Sequence, residues 1–301
     1  MAGATVTQPG IAVAPAGSRR HGPFLGAVLR TARNPMGFVG LVILGILAFV
    51  AIGAPILAPY DPLLQHPGFE LKGPGTAGFP LGTDELGRDL LTRIMFGARI
   101  SFVVGIIAVT LGAGVGIASG LVAGYLGGRV DTVLMRFYDV LLAFPAILIG
   151  IAVVTVLGPG SLNVAFALAP GTAPGFARLT RSSVLSERER EYVVAARASG
   201  ARDRRIMWIH IFPNTLAPLL VQISLALGFA VLADAGLSFL GLGTQPPQPS
   251  WGSMLNNSRA YLRDMPWYGI FPGIALAFLV YSLNSMSDAL RDALDPRRAN
   301  H

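Results

Sequence analysis

The chain has no cysteine, a single lysine and little charge of either sign: Asp, Glu, Lys and Arg together make up 13% of its 301 residues. The lack of cysteine rules out disulfides, thiolate metal ligands and a thiol nucleophile. The one lysine, Lys72, is preceded by Leu71 and followed by Gly73, so no Gly-Lys pair exists to build a phosphate-binding loop. His21, His66, His210 and His301 are scattered, and neither H-E-x-x-H nor G-x-S-x-G occurs. The usual signatures of metallohydrolase and serine-hydrolase chemistry are therefore missing.

Where the charges are missing is informative. Residues 34–60, 100–128, 140–177, 211–233 and 265–287 form uncharged runs, in a chain that is 52% hydrophobic with a mean hydropathy of +0.59. About 20 apolar residues cross a bilayer as a helix. The run 140–177 is long enough for two spans, which gives six: 35–57, 100–125, 140–157, 161–177, 214–240 and 266–287. The fold class expected is an all-α polytopic membrane protein with six transmembrane helices. Placing both termini in the cytoplasm puts 17 of the 23 Lys and Arg residues on that side, which fixes the orientation. The net charge of +7 follows from this bias and does not indicate nucleic acid.

The chain divides accordingly. Residues 1–34 read as a disordered cytoplasmic tail, since no apolar core follows Arg19-Arg20. Residues 35–98 hold the first span, an irregular external loop rich in Pro and Gly, and an interfacial helix. Thr83 or Asp84 caps that helix, Leu86, Leu90, Leu91, Ile94 and Met95 form its apolar stripe, and Arg88, Asp89 and Arg93 lie off the stripe. Residues 99–290 form a five-span core, and 291–301 a short cytoplasmic end.

Within the core, Gly112, Gly116, Gly120 and Gly124 fall on one helical stripe that permits close helix contact. Pro170-Gly171 and Pro174-Gly175 interrupt the fourth span, as a packing site or as a hinge beside a pathway. Asp234 is an acid within a span; it serves either as a pathway residue or as a polar contact between helices. Residues 241–264 are external, with Trp251, Tyr261 and Trp267 suited to the membrane interface.

The charges concentrate in one place. Residues 178–213 hold eight arginines and four acids. Ser186 can cap a helix whose face runs through Leu185, Tyr192, Ala195, Ala196 and Ser199, with Gly200 as its stop. Asp203 can cap a second helix, 204–212, which Pro213 ends or passes into the next span. This helix, Gly corner and helix read either as a docking element with a small-residue face or as a solvated loop.

Val194-Ala195-Ala196, with Gly200 four residues on and Pro213 thirteen beyond it, resembles the EAA loop of permeases from ATP-binding-cassette (ABC) importers. The strings EREYVVAARASGARDRRIMWIHIFPN, GTDELGRD and LSFLGLGTQPPQPSWG resemble the dipeptide/oligopeptide/nickel branch, on its C-type permease side.

The resemblance implies a coupling helix seated in an ATPase subunit, carried here by Glu189, Glu191, Val194, Ala195, Ala196, Arg197, Gly200 and Pro213. The motif's glutamate is Val194 in this chain, so any acidic contact comes from Glu189 or Glu191, or is absent. Phe212 stands where Leu is usual. The resemblance further implies a bacterial plasma membrane location and no cofactor in this chain, with ATP-Mg held by two partner ATPase subunits or domains. A sister permease and an extracytoplasmic substrate-binding protein complete the implied assembly. The cargo implied is a di- or oligopeptide or a related small solute, moved along a path in which Asp234, Pro170 and Pro174 are the candidates. A second class of function is a self-sufficient secondary transporter or channel using Asp234.

Overall fold

The structure, a computed structural model, describes residues 35–294; the expected tail at 1–34 and the last residues of the 291–301 end lie outside it. The described residues contain no strand, only isolated bridges such as Thr83 with Asp89. Among the described residues, nine α-helices of eight residues or more follow in order: α1 (Pro35–Leu57), α2 (Leu90–Leu126), α3 (Gly128–Leu142), α4 (Ala146–Leu157), α5 (Ser161–Glu187), α6 (Glu191–Ala198), α7 (Phe212–Phe239), α8 (Trp251–Ser258) and α9 (Trp267–Leu294). A turn at Asp203–Arg205 and a π-helical segment, Ile206–Ile211, run directly into α7.

Among the described residues, four stretches are long and apolar enough to cross a bilayer: Pro35–Leu57, Leu90–Leu126, Asp203–Phe239 and Trp267–Ala293. A fifth arises if α3 and α4 count as one broken span, for they meet at 88°. The expected straight span 140–157 is thus corrected. Pro145 disfavours helical geometry for Phe144 before it, and the chain turns there to restart as α4.

α2 and α5 form the centre of the bundle, and the glycine stripe explains how. A Cβ on Gly116 would stand 2.5 Å from the Ala173 carbonyl oxygen, one on Gly120 2.5 Å from that of Ala177, and one on Gly124 2.8 Å from the Val184 Cβ. Only a bare backbone fits along this seam. Gly114, off the stripe, has nothing within 4 Å. Val104, Ala108, Val164, Leu168, Phe176 and Leu237 fill the core around the same axis. Bidentate contacts from Arg181 to Asp131 (2.6 Å from Nη2) and a bond from Arg178 to Asp139 at 2.6 Å tie α3 to α5.

α5 is continuous through Pro170 and Pro174, so the expected interruption of the fourth span does not occur. Each proline removes one backbone donor. α5 packs closely along α2 around both positions, and Pro174 is buried.

At the opposite end from α6, residues 58–89 hold no helix and fold over the start of α2. Two expectations are overturned here. The cap is Asp89, whose carboxylate accepts from the Thr92 amide at 2.8 Å, and the helix begins at Leu90. No separate interfacial helix precedes it. The reason is that Thr83 and Asp84 are engaged elsewhere. Thr83 accepts from the Lys72 amide at 2.9 Å and donates to the Phe69 carbonyl. Asp84, fully buried, accepts from Arg88 Nε at 2.6 Å and faces Arg93 Nε at 3.2 Å. Arg88, Asp89 and Arg93 are therefore buried, while Leu86, expected on the apolar stripe, is exposed.

Trp251 is also not at a membrane surface. It is fully buried, donates from Nε1 to the Ile94 carbonyl at 2.9 Å, and lies against Gly97. It opens α8, a helix absent from the sequence reading, which Ser250 and Ser253 start with a capping box.

Candidate functional site

The densely charged stretch is built at the end of the bundle where α2 and α5 finish. α5 continues to Glu187, past Ser186, so Ser186 caps nothing. The chain turns at Arg188, whose guanidinium donates to the Gly124 carbonyl at 3.1 Å, and α6 starts at Glu191.

One face of this short helix is anchored. Val193 is fully buried with Leu121, Tyr125, Val184, Ile206 and Ile211, and Ala196 packs against the same cluster. The buried side is therefore Val193 with Ala196, while Tyr192, Ala195 and Ser199, of the line read as a possible docking face, are exposed.

The other face is open. Val194 is 55% exposed, and Ala195 and Ala198 beside it are exposed too. These three residues, at helical spacing, make a small apolar surface inside the most charged part of the chain. Glu189, Glu191 and Arg197 are exposed around it.

Gly200 closes α6 with φ of 79°, the left-handed conformation expected of it. Its amide donates to Arg197 and that of Ala201 to Ala196, the paired bonds of a Schellman stop.

Beyond the corner, Asp203 does not cap a helix. Its carboxylate accepts from the Tyr125 hydroxyl at 2.6 Å, and the expected helix 204–212 is a single turn followed by the π segment. Pro213 does not end the helix: the run continues from the π segment into α7, of which Pro213 is the second residue. The wider π turns just upstream make room for its ring, and Asn214 Nδ2 takes up the His210 carbonyl at 2.8 Å.

Tyr192 joins the pieces. Its hydroxyl donates to Glu187 at 2.6 Å and accepts from Asn214 Nδ2 at 3.1 Å, which links the end of α5, α6 and the start of α7. Partial burial and the adjacent Glu187 carboxylate push this hydroxyl up to about 12, so it stays protonated at physiological pH.

The remaining candidates lie apart from this elbow. Asp234 sits far along α7, 1% exposed, and its Oδ1 has no partner among the described residues. Pro170 and Pro174 are in the α2–α5 centre. The structure does not bring Asp234 and the prolines into the elbow, and no cluster of metal-ligating residues exists among the described residues. Val193, the residue that orients α6, went unnoticed in the sequence; its only signal was an apolar side chain between two exposed positions.

Comparison with known proteins matches this architecture. Residues 116–300 match the family described as "binding-protein-dependent transport system inner membrane component". Residues 22–74 match the "N-terminal TM domain of oligopeptide transport permease C". The dipeptide transport system permease protein DppC of Alkalihalophilus pseudofirmus is 44% identical over 275 residues, covering 91% of this chain and 90% of the relative. DppC of Escherichia coli is 46% identical over 270 residues, 88% and 90% of the two chains. The glutathione transport system permease protein GsiD of Pectobacterium atrosepticum is 43% identical over 259 residues, 86% and 85%. Among solved structures, the MetNI methionine ABC transporter in inward-facing conformations superposes with a TM-score of 0.56 at 17% identity, over 67% of this chain and 97% of that one, and so shares its fold. An all-helical bundle with an exposed small-residue elbow and this degree of kinship admits one assignment: the chain belongs to the binding-protein-dependent transport system inner membrane components, as a non-catalytic permease subunit of an ABC importer.

Proposed function

We propose that this permease carries di- or oligopeptides, or a related small solute, across a bacterial plasma membrane as one half of a pair with a sister permease. The cargo is inferred from relatives named for dipeptide, di/tripeptide and glutathione transport. Two ATPase subunits holding ATP-Mg and an extracytoplasmic binding protein complete the machine, and nucleic acid plays no part.

In this reading the chain spans the membrane six times, with both termini and the 178–213 loop in the cytoplasm. α5 supplies the span expected at 161–177; its 27 residues are about 40 Å long and lie along α2.

The observation that carries the reading is the open face of α6. Val194, Ala195 and Ala198 form a shallow apolar surface with no large side chain, which a groove on an ATPase can approach closely. Glu189, Glu191 and Arg197 provide charged contacts at its edge. Ala196 anchors the helix from behind, Gly200 fixes its exit, and Pro213 begins the span to be moved. Closure of the ATPases around ATP would displace α6 and, through Tyr192 and the 203–213 segment, tilt α5 and α7 around a central path. Asp234, buried inside this chain with an unpartnered oxygen, meets that path in this reading only when α7 tilts; Pro170 and Pro174 are placed to let α5 adapt.

The test uses the absence of cysteine, which makes Ser199→Cys the only thiol in the chain. Because Ser199 is exposed, the introduced thiol labels with an impermeant reagent in inside-out vesicles and is protected when the ATPases are bound. Labelling from outside intact cells would refute the orientation. In proteoliposomes the chain alone neither hydrolyses ATP nor moves solute, and solute-stimulated hydrolysis appears once all partners are added. Uptake by the chain alone, driven by an ion gradient and blocked by Asp234→Asn, would favour the secondary-transporter reading instead.

A further inference from the structure

Three guanidiniums past the Gly200 corner have no acidic partner. Arg202, Arg204 and Arg205 are exposed, and none makes an ion pair or side-chain hydrogen bond among the described residues. Their one acidic neighbour, Asp203, is drawn away: its carboxylate accepts from Tyr125 at 2.6 Å. Together with Trp208 and Ile209, the three arginines line a concavity of about 410 Å³.

The other two lining residues decide what fits. Trp208 is 47% and Ile209 58% exposed, and both belong to the π segment that runs without a break into apolar α7. The pocket therefore has a cationic rim and an apolar, aromatic wall at the point where a span leaves the bilayer, the level at which tryptophan concentrates. A protein surface matched to α6 would need small and apolar contacts on the other side of the corner. A group that is anionic at one end and apolar at the other matches both parts of this pocket.

We propose that this pocket holds the headgroup of an anionic phospholipid, its phosphate on Arg202, Arg204 and Arg205 and its glycerol and upper acyl carbons on Trp208 and Ile209. The lipid would brace the return segment between the corner and α7. The proposal rests on α7 being a membrane span and not on the identity of the ATPase.

Native mass spectrometry of the delipidated full-length chain, titrated with cardiolipin, phosphatidylglycerol or phosphatidylcholine, tests it. The wild type retains the two anionic lipids in preference to phosphatidylcholine. Replacing all three arginines with Gln lowers anionic-lipid affinity on the order of a hundredfold and leaves phosphatidylcholine binding unchanged. Replacing them with Lys restores most of the affinity, which separates charge from folding. Equal anionic-lipid binding by the wild type and the Gln variant would overturn the site. Displacement of the lipid by glycerol phosphate at equal affinity would make it a site for free phosphate compounds. Lost co-purification of the ATPase with unchanged lipid affinity would assign the pocket to the ATPase. A chain that keeps its lipid preference but never assembles with an ATPase would contradict the proposed function and leave this site standing.

Discussion

The hydroxyl of Tyr192 lies 2.6 Å from the Glu187 carboxylate, and that one bond joins the last residue of α5 to the first turn of the elbow helix. With Asn214 on its other side, Tyr192 is the shared contact of three helices. Tyr192→Phe keeps the ring and removes the bond. Membrane insertion should be normal, the chain should lose about 1 kcal/mol of stability, and ATP hydrolysis should respond less to solute. The pH dependence has a definite sign. The hydroxyl's value is raised from 10.0 to about 12, so its contribution is complete below pH 10 and is lost as pH rises toward 12. Melting of wild type and Tyr192→Phe compared across that window should converge at the alkaline end; a constant difference would mean the bond contributes nothing.

Gly200 has free space around it but a left-handed backbone. Its constraint is conformational and not steric, so the identity of the replacement should matter more than its size. Gly200→Asn should retain most solute-stimulated ATPase activity, because Asn tolerates this conformation. Gly200→Val should uncouple the complex at normal expression. Equal activity in both variants would remove the corner from the coupling path.

The seam between α2 and α5 offers a test with an internal control. Gly116→Ala places a methyl 2.5 Å from the Ala173 carbonyl and should lower the melting temperature by several degrees, at a cost of about 1–3 kcal/mol. Gly114→Ala meets nothing within 4 Å and gains helix propensity, so it should be neutral or slightly stabilising. If thermal melts show the two variants equally impaired, close packing is not what the stripe provides.

Asp84 is the single buried acid facing two buried arginines, Arg88 and Arg93. Asp84→Leu leaves Arg93 without its ion-pair partner and Arg88 with Glu85 alone at 3.3 Å, and should cost about 3–5 kcal/mol. Reduced expression and a lower melting temperature are expected, with the elbow still protected by added ATPases. Wild-type melting would mean that water reaches the arginines.

Asp234 should separate stability from transport. Its Oδ1 is buried without a partner, so Asp234→Asn and Asp234→Leu should melt at or above the wild-type temperature. If Asp234 serves the path, transport falls in both. A destabilised Leu variant with normal transport in the Asn variant would make Asp234 a packing contact.

What could be read from the sequence was what depends on neighbours along the chain. Gly112, Gly116, Gly120 and Gly124 repeat at a helical period, so their common stripe needed no knowledge of α5. Gly200 follows a short helical pattern and precedes a charged turn, which is local information too. What escaped depends on distant partners. Trp251 looked interfacial because nothing near it shows that Gly97 leaves room for its ring. Asp84 looked like a cap until Arg88 and Arg93 closed on it. Pro170 and Pro174 looked like breaks because the support that α2 gives α5 lies some sixty residues away. At the elbow, the burial of Val193 escaped because Leu121 and Ile206, distant in sequence, set it.

The unbroken helical run from Asp203 to Phe239 has a mechanical consequence. Its 37 residues form a strut about 55 Å long, with one end in the elbow and Asp234 close to the other. A strut carries tilt with leverage: a few degrees imposed at the elbow becomes a sweep of several ångströms at the far end. The compliant places along it are the run of π turns at Ile206–Ile211, immediately beside the point where force would enter, and Pro213 and Pro218 just beyond, each of which lacks a backbone donor.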